Sequence, residues 1–244
     1  MATPDLPSIG SGRSRAGVAV AWLGGAAFVA ALAVYVHFFA VRLATPGPPA
    51  WPPLPALAWN ALLFAGFAAH HSVMARAGAK LWLARHLPAA YERTAYVWVA
   101  AILLVLVTRL WQRVPGVVYT LSGPGALALH GLQAFGVVLT VAAARVLRAT
   151  DLAGIRQALG QDGRNDVRIV WPYTLVRHPI YLGWALTVLA APTMTVDRLW
   201  WAAISTAYLV IATPWEERSL SAAVGPAYQA YCRQVRWRMV PGLY

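Results

Sequence analysis

The stretch GALALHGLQAFGVVLTVAAARVL, residues 125–147, is an apolar run in which Arg145 is the single charged residue. A helix rises about 1.5 Å per residue, so a run of this length can cross a hydrocarbon core about 30 Å thick. Backbone groups in lipid must form their hydrogen bonds within the protein, and a helix does this within one segment. The stretch therefore predicts a membrane-spanning helix.

Five further apolar runs occur along the chain, and the last two are short and separated only by TVDR. This pattern predicts an all-α polytopic integral membrane protein with five to six membrane helices, the last two forming a short helical hairpin. Residues 1–147 would form a four-helix membrane region, and residues 148–244 a loop, the hairpin and a tail, together making one integrated domain. The predicted runs are 16–41, 54–70, 94–110, 125–147, 180–195 and 199–213.

The composition supports a lipid bilayer as the surrounding medium. Hydrophobic residues make up 59% of the 244 residues and charged residues only 11%, against about 25% in soluble domains. With a cytoplasmic N-terminus, sixteen of the twenty Lys and Arg residues fall on the cytoplasmic side, the bias typical of inner-membrane proteins. The net charge of +12 thus indicates topology, and we expect no nucleic-acid partner because no basic stripe is interleaved with exposed aromatic residues. Cys232 is the single cysteine, which excludes an intrachain disulfide and a cysteine-based metal site; we expect no metal.

Three polar clusters lie on the predicted cytoplasmic side. They are HHSVMAR (70–76), TDLAGIRQALG (150–160), and the pair VRHPIY (176–181) with PWEERSL (214–220). A hairpin returns the chain to its starting face, so we expect Arg177, His178 and Tyr181 to lie near Glu216 and Glu217. This arrangement predicts a polar pocket at the membrane surface, covered by the C-terminal tail.

At these residues the sequence resembles a known family. YTLVRHPIYLGW, a hairpin, EERSL, GPAYQAY and a closing Pro241 occur in the order found in the isoprenylcysteine carboxyl methyltransferase superfamily, and the resemblance covers about residues 151–241. The segments HHSVMAR, YERTAYV, WQRVPGVVY and DLAGIRQ are similar to bacterial methanethiol S-methyltransferases. The resemblance implies a methyltransferase that uses S-adenosylmethionine and methylates a small thiol, most simply methanethiol to dimethyl sulfide. The distribution of Lys and Arg predicts that both termini and the active site are cytoplasmic, and we expect the membrane to be a bacterial inner membrane.

The resemblance also implies which residues bind S-adenosylmethionine. Relatives that methylate a prenylated cysteine carboxylate carry an arginine four residues before the cofactor-binding glutamate, and here that position is Ala212. A smaller and less charged acceptor is therefore expected. The implied cofactor-binding residues are Gln157, Asn165, Asp166, Val167, Arg168, Tyr173, His178, Pro179, Ile180, Tyr181 and Glu216.

The chemistry of these residue types agrees with such a donor. Arg177 or His178 suits its carboxylate, and Glu216 or Glu217 suits its ammonium or ribose diol. The rings of Tyr173 and Tyr181 suit adenine and can face the sulfonium.

A thiol acceptor must lose its proton, because the thiolate is the nucleophile. His70 or His71 could accept that proton, and nearby arginines could stabilise the anion. The sequence does not choose between the two histidines. The candidate catalytic residues are His70, His71, Arg177 and Glu217.

Two other interpretations are compatible with part of the pattern. One is a methyltransferase that acts on a lipid or a prenylated cysteine. The other is a non-catalytic membrane protein of the NnrU type, which shares the early His-Ser and the Arg-His-Pro features. The combination of PIYLGW with EERSL and GPAYQAY favours the enzyme.

Overall fold

Helices make up most of the computed structural model, which describes residues 15–74, 76–87, 89–147 and 169–244. The helices are α1 (Arg15–His37, continued by a π-helical turn, Phe38–Arg42), α2 (Pro53–Met74), α3 (Ala77–Ala84), α4 (Ala89–Leu110), α5 (Gly123–Val146), α6 (Pro179–Leu189), α7 (Val196–Val224) and α8 (Pro226–Gln234). Two short strands are β1 (Val117–Thr120) and β2 (Thr193–Thr195).

Three helical segments are long and apolar enough to cross a membrane: Gly17–Arg42, Tyr91–Leu110 and Gly123–Val146. They coincide with the first, third and fourth apolar runs. Large apolar side chains on their outer faces are exposed, among them Val29, Ile102 and Val138, as expected for a surface in contact with lipid. The protein is an integral membrane protein, whereas the count of five to six membrane helices stays a prediction.

The predicted hairpin exists, but its second arm is not short. α6 packs against α7, and α7 runs to Val224, far past the predicted end at residue 213. Pro214 lies inside the helix, where a proline removes one backbone hydrogen bond but need not end the helix. The helix therefore carries Glu216 and Glu217 on a continuous rod.

The two strands form a small antiparallel ribbon that the all-α prediction missed. Val117 pairs with Thr195, Tyr119 with Met194 and Thr120 with Thr193. Its β-branched and aromatic residues favour an extended backbone. The ribbon joins the segment before α5 to the connection between α6 and α7.

Close contact between α5 and α6 fixes the position of α6, the first arm of the hairpin. A Cβ atom on Gly136 would lie 2.6 Å from the carbonyl oxygen of Gly183, and one on Gly183 would lie 2.5 Å from that of Gly136. Thr140 and Thr187 donate their hydroxyls to the carbonyls one turn back in their own helices. Small residues at both positions let the two backbones approach, as is common between membrane helices.

A buried polar cluster holds the start of α7. Asp197 accepts hydrogen bonds from Nε1 of Trp111 (2.9 Å) and the backbone N–H of Val114 (3.1 Å), and it pairs with Arg113 (3.2 Å). Arg198 donates to the carbonyls of Phe39 and Ala40 in the π-helical turn. These contacts satisfy two buried charges and join α7 to α1 and to the end of α4.

Candidate active site

The segment before α6 is tied to the C-terminal tail through its backbone. The N–H of Arg177 donates to the carbonyl of Trp237 (2.9 Å), and the N–H of His178 donates to that of Arg238 (2.8 Å). His178 precedes Pro179, the first residue of α6, where proline is well tolerated because its missing N–H has no helical partner there. Pro179 is buried and Ile180 half-buried, so both belong to the packed base of this segment.

The structure brings His178, Tyr181 and Glu216 together. Nδ1 of His178 lies 3.7 Å from Oε2 of Glu216, and the imidazole stacks on the Tyr181 ring with centroids 5.1 Å apart. The Tyr181 hydroxyl donates to Glu216. The convergence predicted from the hairpin is therefore observed.

Glu217 is held from three sides. It accepts from Nε of Arg177 (2.6 Å) and Nε of Arg238 (2.9 Å), and Nε2 of His178 lies 3.4 Å from Oε1 without hydrogen-bond geometry. Burial opposes ionisation, but the neighbouring imidazole and then the two guanidinium groups outweigh it and lower the pKa of Glu217 to about 2. Glu217 is therefore a buried carboxylate that is ion-paired with two arginines.

The Arg177 guanidinium also donates hydrogen bonds to the C-terminal tail. Its Nη1 donates to the carbonyls of Val235 and Arg236, both at 2.8 Å. The side chain is 9% exposed. The group therefore fastens α7 and the tail to the segment before α6, and we call Arg177, Glu217 and Arg238 the clamp.

Glu216 is the more open of the two glutamates. Its side chain is 42% exposed, against 11% for Glu217. Burial, followed by the neighbouring Tyr231 phenol and then the Glu216 carboxylate, raises the pKa of Tyr173. The Tyr173 carbonyl accepts from the hydroxyl of Tyr231 (2.8 Å), which joins it to α8.

The predicted histidine pair lies at the end of α2, next to two tyrosines that the sequence analysis did not single out. Nε2 of His70 donates to the carbonyl of Tyr96 (3.3 Å), and the two rings stack at 5.3 Å. The Tyr208 hydroxyl lies 3.2 Å from the hydroxyl of Ser72. Tyr96 and Tyr208 therefore connect the end of α2 to α4 and α7.

The remaining predicted site residues lie outside the described residues; they are Gln157, Asn165, Asp166, Val167 and Arg168. Within the described ranges, no group of three or more His, Cys, Asp or Glu residues could hold a metal ion. Tyr96 could have been noticed because it lies within YERTAYV, and Arg238 because it belongs to the predicted covering tail. Tyr208 carried no such signal, since one tyrosine in an apolar run is ordinary.

Comparison with known proteins decides the family. The chain is 38% identical over 194 residues to methanethiol S-methyltransferase 2 of Bradyrhizobium diazoefficiens, an alignment that covers 76% of this chain and 73% of that protein. The chain belongs to the methanethiol S-methyltransferase family. It is also 36% identical over 182 residues to the methanethiol S-methyltransferase of Mycobacterium tuberculosis, covering 72% of this chain and 75% of that protein.

The methanethiol S-methyltransferase family membership confirms the resemblance stated from the motifs. A more distant similarity, 28% identity over 181 residues, links the chain to rat nurim and covers 67% of this chain and 68% of nurim. No family model matches the chain, and no solved structure matches it. The chain is therefore a membrane methyltransferase.

Proposed function

We propose that this protein transfers a methyl group from S-adenosylmethionine to a small thiol, with methanethiol as acceptor and dimethyl sulfide as product. The observation that carries the proposal is the convergence of His178, Tyr181 and Glu216, in a chain of this family, beside the aromatic end of α2. The family relatives named methanethiol S-methyltransferase support the acceptor.

The residues present suit S-adenosylmethionine. The His178 ring lies between the two glutamates, with Nδ1 3.7 Å from Oε2 of Glu216 and Nε2 3.4 Å from Oε1 of Glu217, so it helps to orient Glu216 towards the donor. The half-exposed carboxylate of Glu216 suits the ammonium or the ribose diol, and the rings of Tyr173 and Tyr181 suit adenine and the sulfonium. When bound, the donor supplies an electrophilic methyl group.

Arg177 and Glu217 act as positioning residues in this account. Both were candidate catalytic residues from the sequence, but each already has protein partners in the clamp. We propose that the clamp fixes the positions of the neighbouring residues His178 and Glu216 and keeps the tail over the site.

The acceptor chemistry needs a thiolate and little space. Ala212, half-buried in α7 one turn before Glu216, offers no cation to a substrate carboxylate. His70 and His71 lie close to Tyr96 and are the neighbouring groups that could take the thiol proton. We place both termini and this site on the cytoplasmic side of a bacterial inner membrane, where the charged donor has access and an apolar thiol can arrive through the bilayer.

A set of parallel incubations tests the proposal. Each contains the purified protein in detergent, S-adenosylmethionine labelled on its methyl group, and one acceptor. The acceptors are methanethiol, ethanethiol, a phospholipid and a prenylated cysteine. We expect label in dimethyl sulfide and none in the phospholipid or the prenylated cysteine. Label transferred only to one of the last two acceptors would contradict the proposal and support the lipid interpretation.

A further inference from the structure

One imidazole nitrogen at the end of α2 has no assigned role. Nδ1 of His71 is buried and has no hydrogen-bond partner in the described ranges. The carbonyl of Phe67, one turn earlier, comes near the ring without hydrogen-bond geometry, and in a helix it already accepts the backbone N–H of His71. His70, in contrast, uses Nε2 on the carbonyl of Tyr96. Buried polar atoms nearly always have a partner, so Nδ1 of His71 can receive a ligand or a water molecule.

The surroundings of His71 are aromatic. The Phe67 ring lies 4.5 Å from the imidazole and the Tyr96 ring 5.4 Å, centroid to centroid. Phe67 is backed by Phe64 at 6.1 Å. Divalent sulfur makes favourable contacts with aromatic rings, and a thiol S–H is a weak donor that an imidazole lone pair can accept. We call the surroundings formed by Phe67, His71 and Tyr96 the niche, and their chemistry suits a small thiol.

The niche adjoins the proposed methyl-donor site. Tyr96, on α4, contacts His71. Ser72, the next residue after His71, contacts Tyr208 on α7. The Arg76 guanidinium lies 5.9 Å from the ring of Trp215, the residue before Glu216. The end of α2 thus packs against the part of α7 that presents the carboxylate.

We propose that Phe67, His71 and Tyr96 form the acceptor subsite and that Nδ1 of His71 accepts the thiol proton. This inference rests on the function proposed above. The S–H bond breaks and its proton moves to Nδ1, while the sulfur forms a bond to the methyl carbon of the donor. The S–CH₃ bond of the sulfonium breaks, and its electron pair stays on the donor sulfur, which becomes a neutral thioether. The imidazolium then returns the proton to water.

The imidazole of His71 is neutral before a thiol binds. His71 lies one residue beyond the second predicted apolar run. Burial, followed by the nearby charges of His70 and Arg93, lowers the pKa of His71 to about 4, so the ring is neutral at neutral pH and its lone pair is available. A thiolate that develops beside the ring favours the imidazolium, because an opposite charge stabilises the charged form.

The test compares two thiols that differ in acidity. Methanethiol is almost entirely protonated at neutral pH, whereas the more acidic 2,2,2-trifluoroethanethiol is substantially ionised to the thiolate. For His71→Asn we expect kcat with methanethiol to fall about 100-fold or more, the usual effect of losing a general base, and kcat with trifluoroethanethiol to fall less than about 10-fold. His71→Gln should repeat this difference. His70→Asn should lower both rates by the same factor, because its bond to Tyr96 positions α4 and does not touch the thiol.

Two controls separate folding and binding from chemistry. His86→Asn changes an exposed histidine at the end of α3 and should leave both rates unchanged. Calorimetric affinity for S-adenosylmethionine should be the same in His71→Asn and the unaltered protein. ¹⁹F NMR of trifluoroethanethiol, without methyl donor, should show binding to His71→Asn and loss of binding to Phe67→Trp, which fills the niche.

Equal losses for the two thiols in His71→Asn, or thiol binding that survives Phe67→Trp, would overturn the inference. A failure of the proposed function looks different: the unaltered protein would then bind S-adenosylmethionine and methylate neither thiol.

Discussion

His178 and Glu216 face each other at 3.7 Å, Nδ1 to Oε2, although one precedes α6 and the other lies in the second half of α7. The contact exists because α6 and α7 pack side by side and α7 continues as a helix through Pro214. A break at that proline would have separated the two groups. The same helix places Glu217 in the clamp, so α7 carries both the half-exposed Glu216 and the ion-paired Glu217.

Glu216→Gln should weaken binding of S-adenosylmethionine about 10- to 100-fold, since hydrogen bonds to charged groups contribute about 1.5–3 kcal/mol. The amide keeps the size of the side chain but removes the charge that a ligand ammonium or diol would meet. Titration calorimetry with S-adenosylmethionine measures this. Glu92→Gln, in the first turn of α4, is the matched control and should bind as the unaltered protein does. Unchanged affinity in Glu216→Gln would remove Glu216 from the site.

Arg238→Ala should loosen the tail without removing any group that touches the ligand. Arg238 donates to Glu217 at 2.9 Å and lies over the Tyr244 ring at 5.4 Å, so its loss removes one contact within the clamp and one with Tyr244. We expect protease cleavage of the tail to become faster and the unfolding temperature in detergent to fall, with an effect of about 1 kcal/mol because Arg238 is partly exposed. Arg233→Ala, an exposed arginine of α8, is the control. Equal behaviour of the two variants would count against the clamp.

The clamp should also give the protein an acid-sensitive stability. The pKa of Glu217 is about 2 in the folded protein and about 4.5 ordinarily, so its contribution is fully present above pH 4.5 and is lost as the pH falls from about 4.5 towards 2. We expect Glu217→Gln to lower stability by about 1–2 kcal/mol at pH 7, allowing for solvent screening. The difference from the unaltered protein should shrink as the pH falls. Unfolding temperatures at pH 7, 5, 4 and 3 measure it; a constant difference at every pH would exclude this role.

Gly183→Ala should disrupt packing between α5 and α6. The added Cβ would lie 2.3 Å from the hydroxyl oxygen of Thr140 and 2.5 Å from the carbonyl of Gly136, so the backbones must separate. A loss of about 1–3 kcal/mol is typical of such overpacking, and α6 carries Tyr181, so activity should fall as well. Gly131→Ala, on α5, has nothing within 4 Å of the added atom and serves as the control. Comparable unfolding temperatures for both variants would contradict the close approach.

Much of the fold was predictable because apolar runs fix membrane helices. The runs 94–110 and 125–147 end within a residue of α4 and α5, Leu110 and Val146. Hydrophobicity alone could not extend α7 to Val224, because its last turns are polar and are held by the clamp. The β1–β2 ribbon was missed for a similar reason: its few residues are paired by the position of the helices around them.

The site was predictable where sequence order carries geometry. A hairpin places its two ends together, which brought Arg177 and His178 to Glu216 and Glu217. The difference in partners and exposure between Glu216 and Glu217 was not predictable, since it depends on the contact of Arg238, in the tail, with Glu217. Tyr208 was missed because its neighbour Ser72 is far away in sequence, and only the packing of α2 on α7 brings them together.

The most direct test of the central claim is an experimental structure of the protein with S-adenosylhomocysteine, the demethylated form of the donor. We predict density for the nucleoside and amino-acid portions in contact with His178, Tyr181 and Glu216. Density elsewhere, for example near Asp197 at the other end of α7, with no contact to His178 or Glu216, would contradict it.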